Sequence, residues 1–199
     1  HNNGIQHLIR IKRYVEVLSK NIRYMFKSGM HTVPLSEEMQ NVQYYYEMQE
    51  LRYPGSVFYY GEYNKEDENW PIPQMLIHTV VENIYKHAVS VDNLITILVQ
   101  VNKTEYKGQE MLCISIEDDG EGYPKEILKQ FQAGEKPKPS EDGTHLGLWS
   151  LWEMLRIMYD RNDLMELKNA EPHGTRTIFY LPKEAINETG KKTSGGDVV

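Results

Sequence analysis

Two incompatible hydrophobic periods divide this chain near Pro54. Before it, Ile5, Leu8, Ile9, Val15, Leu18, Ile22, Met25 and Phe26 recur at steps of three and four, the spacing that gathers apolar side chains into one stripe along an α-helix. Ser28-Gly29 interrupts that stripe. A second helix is expected to begin around residues 34–36, where Pro34 suits a helix start and Glu37 and Glu38 favour its positive end. Met39, Val42, Tyr46 and Gln49 continue its inward face as far as Pro54-Gly55. Two such helices make a hairpin, and because neither buries its stripe alone they need a partner surface.

After Pro54 the texture changes. Short strands are expected at residues 57–60, 94–101, 111–116, 164–168 and 175–181, and helices at residues 74–88, after Pro124, and through Leu148, Leu151, Trp152, Leu155 and Tyr159. Residues 64–69 are acidic and expected to be a solvated loop, and the polar residues 102–109 a connection between two strands of a hairpin. Helices mixed with hairpin-linked strands predict an α+β fold, a two-layer α/β sandwich with a mixed sheet rather than a parallel doubly wound one. The expected division is a helical segment at residues 1–53, an α/β domain at 54–186 and a disordered polar tail at 187–199.

Composition narrows the function. Hydrophobic residues at 40% and charged residues at 26% fit an ordinary folded protein. The net charge of -7 argues against a nucleic-acid partner, since a phosphate backbone is held by clustered Lys and Arg, and for the same reason Tyr44-Tyr45-Tyr46 reads as helix packing. No apolar run reaches the ~18 residues of a membrane span. The chain starts at His1 without an initiator Met and is expected to be a piece of a longer protein. Cys113 reads as a small buried hydrophobe, and His31, His78 and His173, which lack metal-ligand spacing, as surface or partly buried structural residues.

Four segments need more than packing to account for them. In Glu82-Asn83-Ile84-Tyr85-Lys86-His87, Asn83 and His87 share one helix face, and Glu82 and Lys86 an adjacent strip. The amide is a hard ligand suited to Mg²⁺ and the two bases suit phosphates; a solvated face with i,i+4 pairing fits the same pattern. In residues 114–122, alternation puts Asp118 on the same side as Leu112, Ile114 and Ile116, at the rim of a buried pocket, where a carboxylate needs donors such as an exocyclic amine; Gly120 and Gly122 let backbone approach a planar ring. A plain Asp-Gly turn is the alternative. Gly143-Thr144-His145-Leu146-Gly147-Leu148 runs a glycine-bearing loop into a helix start, where free N–H groups attract phosphate. Gly174-Thr175-Arg176-Thr177 leads into the last strand and by itself reads as hairpin chemistry.

In order and spacing these four resemble the N, G1 and G2 boxes and the terminal Gly-Thr strand of the GHKL ATPase superfamily. With Pro34-Leu35-Ser36-Glu37-Glu38-Met39, Tyr46-Glu47-Met48-Gln49-Glu50-Leu51-Arg52 and Pro73-Gln74-Met75-Leu76, the match over residues 22–182 is similar to sensor histidine kinases of the YesM/LytS type. The resemblance implies a Bergerat-type ATPase fold binding ATP with Mg²⁺. It implies that Asn83 coordinates the Mg²⁺ on the phosphates, that Glu82 is a base or water-positioning residue, and that Lys86 and His87 lie near the phosphates. Asp118 would read adenine N6, with Gly120 and Gly122 shaping the base pocket and Thr175 bonding near the base. His145, Gly147 and Leu148 would form the lid and the triphosphate-binding helix start. The family moves the γ-phosphoryl of ATP to a His on a helical dimerisation segment and then to an Asp of a response regulator receiver domain. This implies a homodimeric parent, a cytoplasmic domain of a bacterial membrane-anchored receptor, and no membrane contact from the chain itself.

The chain departs from that pattern at Ser150, where Asn is usual, at Met154 for Arg, at Asp160 for Gly, and at Ile84 and Ala88 for Ala and Gly. The Pro-His-Phe-Leu-type motif that carries the phospho-acceptor in the family has no counterpart here, and His1 and His7 have the wrong neighbours. A non-catalytic nucleotide-sensing or scaffold module, and a GHKL serine kinase of another branch, are the competing readings.

Overall fold

The computed structural model describes residues 2–25, 30–137 and 146–185, the first two by their backbone alone. The interruption at Ser28-Gly29, the loop from Gly143 to His145 and the tail at 187–199 lie outside the described residues. Helix α1 (Asn2–Met25) runs beside α2 (Leu35–Gln49), and between them β1 (Thr32–Pro34) pairs antiparallel with β3 (Pro71–Pro73). The expected hairpin is present, but α1 turns a different face inward. Val17, Asn21 and Tyr24 are buried, whereas Ile5, Leu8, Ile9, Val15, Ile22 and Met25 remain exposed. Helical spacing identifies an apolar stripe without specifying which neighbour covers it.

The main sheet has the order β2-β4-β5-β7-β6, formed by β2 (Val57–Tyr63), β4 (Ile95–Tyr106), β5 (Gln109–Asp118), β6 (Met165–Asn169) and β7 (Thr175–Leu181). Only β2 and β4 are parallel, so the sheet is mixed. Period-two alternation sends Ile95, Ile97, Val99 and Val101 of β4, Leu112, Ile114 and Ile116 of β5, and Phe179 and Leu181 of β7 into the core. They meet α2, α3 (Leu76–His87), α4 (Lys125–Ala133) and α5 (Leu146–Tyr159). This is the two-layer sandwich expected. Leu35, Met39, Val42 and Tyr45 of α2 belong to the same core as the sheet, so no seam in the packing separates α2 from the α/β layers.

Three local expectations are corrected. Residues 64–69 are solvated only in part: Asn64, Lys65, Glu66 and Asn69 are exposed, but Asp67 is 2% exposed and paired with Lys103 at 3.2 Å, and the carbonyls of Trp70 and Glu68 accept the first free N–H groups of α2 from Leu35 and Ser36, both at 2.9 Å. The connection at 102–109 is nearly all strand, turning only at Lys107-Gly108, both with positive φ, and braced by Tyr106 stacked on Tyr180 at 4.0 Å. Cys113 is only half-buried, because alternation puts it on the sheet face opposite Leu112 and Ile114. Pro71 and Pro73 belong to β3, just ahead of α3, which starts after Met75.

Candidate active site

Helix α3 buries a broad stripe, Leu76, Ile77, Val80, Val81 and Ile84, which leaves two polar edges. His78, Glu82 and Lys86 lie along the edge facing the helical hairpin. There Lys86 Nζ pairs with Glu82 Oε1 at 2.8 Å, and the three residues join Asn21, Tyr45 and Arg52 around a cavity of about 500 Å³. His78 is buried, a correction to its expected surface or partly buried placement, and desolvation lowers its pKa to about 4 against the opposing pull of Glu82. Thr79 and Asn83 occupy the other edge, four residues apart. A Cβ built on Gly147 would lie 3.5 Å from Thr79 Cγ2, so the start of α5 abuts this edge one turn before Asn83. Asn83 is half-buried, and His87 is exposed at the helix end.

Asp118 ends β5 opposite Ile97 and is 5% exposed. Its Oδ1 accepts the Gly120 N–H at 2.8 Å, and its Oδ2 accepts the Thr175 hydroxyl from the neighbouring β7. Burial pushes the carboxyl above the usual range, Thr175 and the Gly120 N–H pull it back, and Asp119 adds to the rise. An ionised carboxylate offers about four acceptor sites, so room remains for a further donor. Gly120 is confined between this carboxylate and α3: a Cβ there would be 2.8 Å from Asp118 Oδ1 and 3.0 Å from Ala88 Cβ. The Asp118 turn therefore meets the C-terminal end of α3, and the Asn83 edge lies between that turn and Gly147.

The sequence reading missed the clasp that holds this turn. Tyr123 N–H donates to Asn169 Oδ1 at 2.6 Å, Asn169 Nδ2 donates to the Tyr123 carbonyl at 3.2 Å, and the Tyr123 hydroxyl meets Thr177 Oγ1 at 2.7 Å. Burial pushes the Tyr123 hydroxyl up to about 12. Gly122, at φ +95, passes against Asn169 and the Gly174 carbonyl. A tyrosine directly after the second glycine was the one available signal. Leu148 is fully buried, so its side chain packs in the core and only its backbone is available to a ligand at the start of α5. His145 lies outside the described residues. Of the departures, Ser150 is exposed, Met154 half-buried and Asp160 held at φ +51. Among the described residues no group of three or more His, Cys, Asp or Glu is placed to hold a metal ion.

The profile of the histidine kinase-, DNA gyrase B- and HSP90-like ATPases matches residues 72–185, and that of the histidine kinases matches residues 3–57. The sensor protein LytS of Bacillus subtilis is 24% identical over 163 residues, covering 82% of this chain and 27% of LytS. The sensor protein kinase HptS of Staphylococcus aureus is 26% identical over 183 residues, covering 89% of this chain and 34% of HptS. The chain thus spans about a third or less of the length of these curated relatives. Among solved structures, the catalytic domain of histidine kinase ThkA superposes with a TM-score of 0.58 at 16% identity, over 78% of this chain and 99% of that one. The histidine kinase domain of a blue-light activated kinase from Erythrobacter litoralis gives 0.50 at 16% identity, over 90% and 82%. These likenesses confirm the fold. With the profile spanning more than half of the sequence and its glycine-bounded Asp118 turn set against the Asn83 helix, the chain belongs to the family of histidine kinase-, DNA gyrase B- and HSP90-like ATPases.

Proposed function

We propose that this chain is the ATP-binding catalytic region of a two-component sensor histidine kinase, which transfers the ATP γ-phosphoryl group to a histidine for relay to a response regulator receiver domain. The observation that carries this reading is Asp118: a buried carboxylate with spare acceptor capacity, beside two glycines and Thr175, at the end of the α3 edge that bears Asn83. Asp118 accepts from the adenine amine, Thr175 orients that carboxylate, and Gly120 and Gly122 shape the base pocket by letting the turn pass close to Ala88 and Asn169. Asn83 would offer its amide oxygen to a Mg²⁺ ion, which would supply charge neutralisation at the phosphates. His87 lies along the same helix end, whereas Lys86 reaches a phosphate only by leaving Glu82. Gly147 and the Leu148 backbone at the start of α5 face the triphosphate.

Glu82 stands on the hairpin side of α3, the side from which a histidine on a helical segment would approach, and this suits a proton-accepting or water-positioning role. The exposed apolar residues of α1, Ile5, Leu8, Ile9 and Val15, suit a second copy in a homodimeric parent. No helix among the described residues is long and apolar enough to cross a membrane. We assign the chain to the cytoplasmic side of a membrane-anchored receptor.

Calorimetric titration with ATP in Mg²⁺ tests the binding step. The wild-type chain is expected to bind, and Asp118→Asn to weaken binding by about tenfold or more, because a buried charge-assisted hydrogen bond is lost. A wild-type chain without affinity, or an unaffected Asp118→Asn, removes the basis of the reading. Phosphohistidine formed by the longer parent protein tests the transfer step. Binding without phosphohistidine there would return the chain to a nucleotide-sensing module.

A further inference from the structure

Helix α3, which carries Glu82 and Asn83, starts without a cap of its own. Met75 precedes it in the left-handed region at φ 67, and no local side chain accepts the first free N–H groups. The acceptor comes from α2. Glu38, 0% exposed, accepts from Met75 N–H through Oε2 and from Ile77 and His78 N–H through Oε1, each at 3.0 Å. Helix α1 joins the same group: the Tyr24 hydroxyl donates to Glu38 Oε2, and Gln74 Nε2, just ahead of α3, donates to the Tyr24 carbonyl. A second strut runs in parallel, with Asn21 Nδ2 donating to Asn41 Oδ1 at 3.4 Å and Asn41 Nδ2 meeting His78 Nδ1 at 2.9 Å.

Apolar packing alone would hold α2 against α3 while tolerating small slides. A buried carboxylate is costly unless its oxygens are satisfied, so this cluster accepts only one arrangement of the three helices. Burial pushes the Glu38 carboxyl upward against hydrogen bonds from His78, Tyr24, Met75 and Ile77. A helix moves as a rod, so displacing its first turn displaces Asn83 two turns on.

We propose that Glu38 is a positioning residue for the nucleotide site: from the hairpin it sets the start of α3, and through Tyr24 it makes the placement of α1 part of the energetics of nucleotide binding. This rests on the reading of the Asn83 edge as a nucleotide site. Linkage makes the coupling reciprocal, so ATP bound beside α3 must in turn restrain α1.

Hydrogen–deuterium exchange with and without Mg²⁺ and ATP, on chain whose binding is followed by calorimetry, reads this directly. In the wild type, nucleotide is expected to slow exchange several-fold in α3 and also across residues 20–25 of α1. Tyr24→Phe, which removes one hydroxyl and keeps the ring, is expected to retain the response in α3 and lose it in α1. Glu38→Gln is expected to lose both and to weaken ATP binding by about fivefold or more. A cap that merely stabilises the fold would change the melting temperature without any ATP-dependent response in α1. The proposal is overturned if α1 stays indifferent in wild-type chain that binds ATP, or if Tyr24→Phe keeps the full α1 response. Should either variant fail to fold, the wild-type comparison decides. A wild type that does not bind ATP fails the nucleotide-site reading itself, a separate outcome.

Discussion

Gly174 passes so close to Asp118 that a Cβ built on it would lie 1.8 Å from the Asp118 carbonyl oxygen. With φ at +106, no other residue suits the position. This close approach lets Thr175, the next residue, place its hydroxyl on the Asp118 carboxylate. Gly174→Ala is expected to destabilise the chain by about 3 kcal/mol or more, because backbone must move on both strands. Gly134→Ala, at φ +68 with nothing within 4 Å of its Cβ, should cost only about 1 kcal/mol. Denaturant unfolding of the two variants checks the contrast.

His78 should make stability depend on pH on the acid side. Its folded-state pKa of about 4 lies below the unfolded value, so between about pH 4 and 6.5 the unfolded chain holds a proton that the folded chain does not. Stability therefore rises with pH across that window, is complete above it, and is lost as pH falls through it. The contribution is about 3 kcal/mol. His78→Gln should flatten this part of the profile, as measured by urea unfolding at a series of pH values.

Asp67 is buried with its Oδ2 unpartnered, and Lys103 is its counter-charge through Oδ1. Lys103→Met should leave that carboxylate uncompensated. The lysine is one-third exposed, so the loss should fall below that for a fully buried pair. Adding Asp67→Asn should recover part of it, and a double-mutant cycle on thermal unfolding measures the coupling.

Asp160 follows α5 at φ +51, in the left-handed region where a side chain is strained. Asp160→Gly should stabilise the chain by about 0.5–1 kcal/mol, since relief of the left-handed strain exceeds the entropy glycine adds to the unfolded state. A higher thermal midpoint with unchanged ATP affinity is the expected result.

Much of the fold was legible in the sequence. The bounds of β7 fall where they were expected, and those of α5 and β6 close to it, because each is a run of one period ended by glycine, proline or polar residues. Asp118 was placed correctly on the inward side of β5, since alternation is a local property of the strand. Residues 64–69 misled because their acidic composition is that of a loop. One of those acids, Asp67, is turned inward only because Lys103, distant in sequence, is there to receive it. Glu38 misled in the same way: it reads as a charge favouring its own helix, and it caps another.

Local periods and turn residues thus determined which segments are helices and strands, which residues the strands turn inward, and that a carboxylate would stand among glycines at the end of β5. Tertiary structure alone decided which edge of α3 faces the hairpin, which face of α1 is covered, and which groups complete Asp118 and Glu38. The reason is that hydrogen-bonding needs are written in the sequence residue by residue. Their satisfaction depends on partners such as Thr175 for Asp118 and Ile77 for Glu38, which only the folded chain brings within reach.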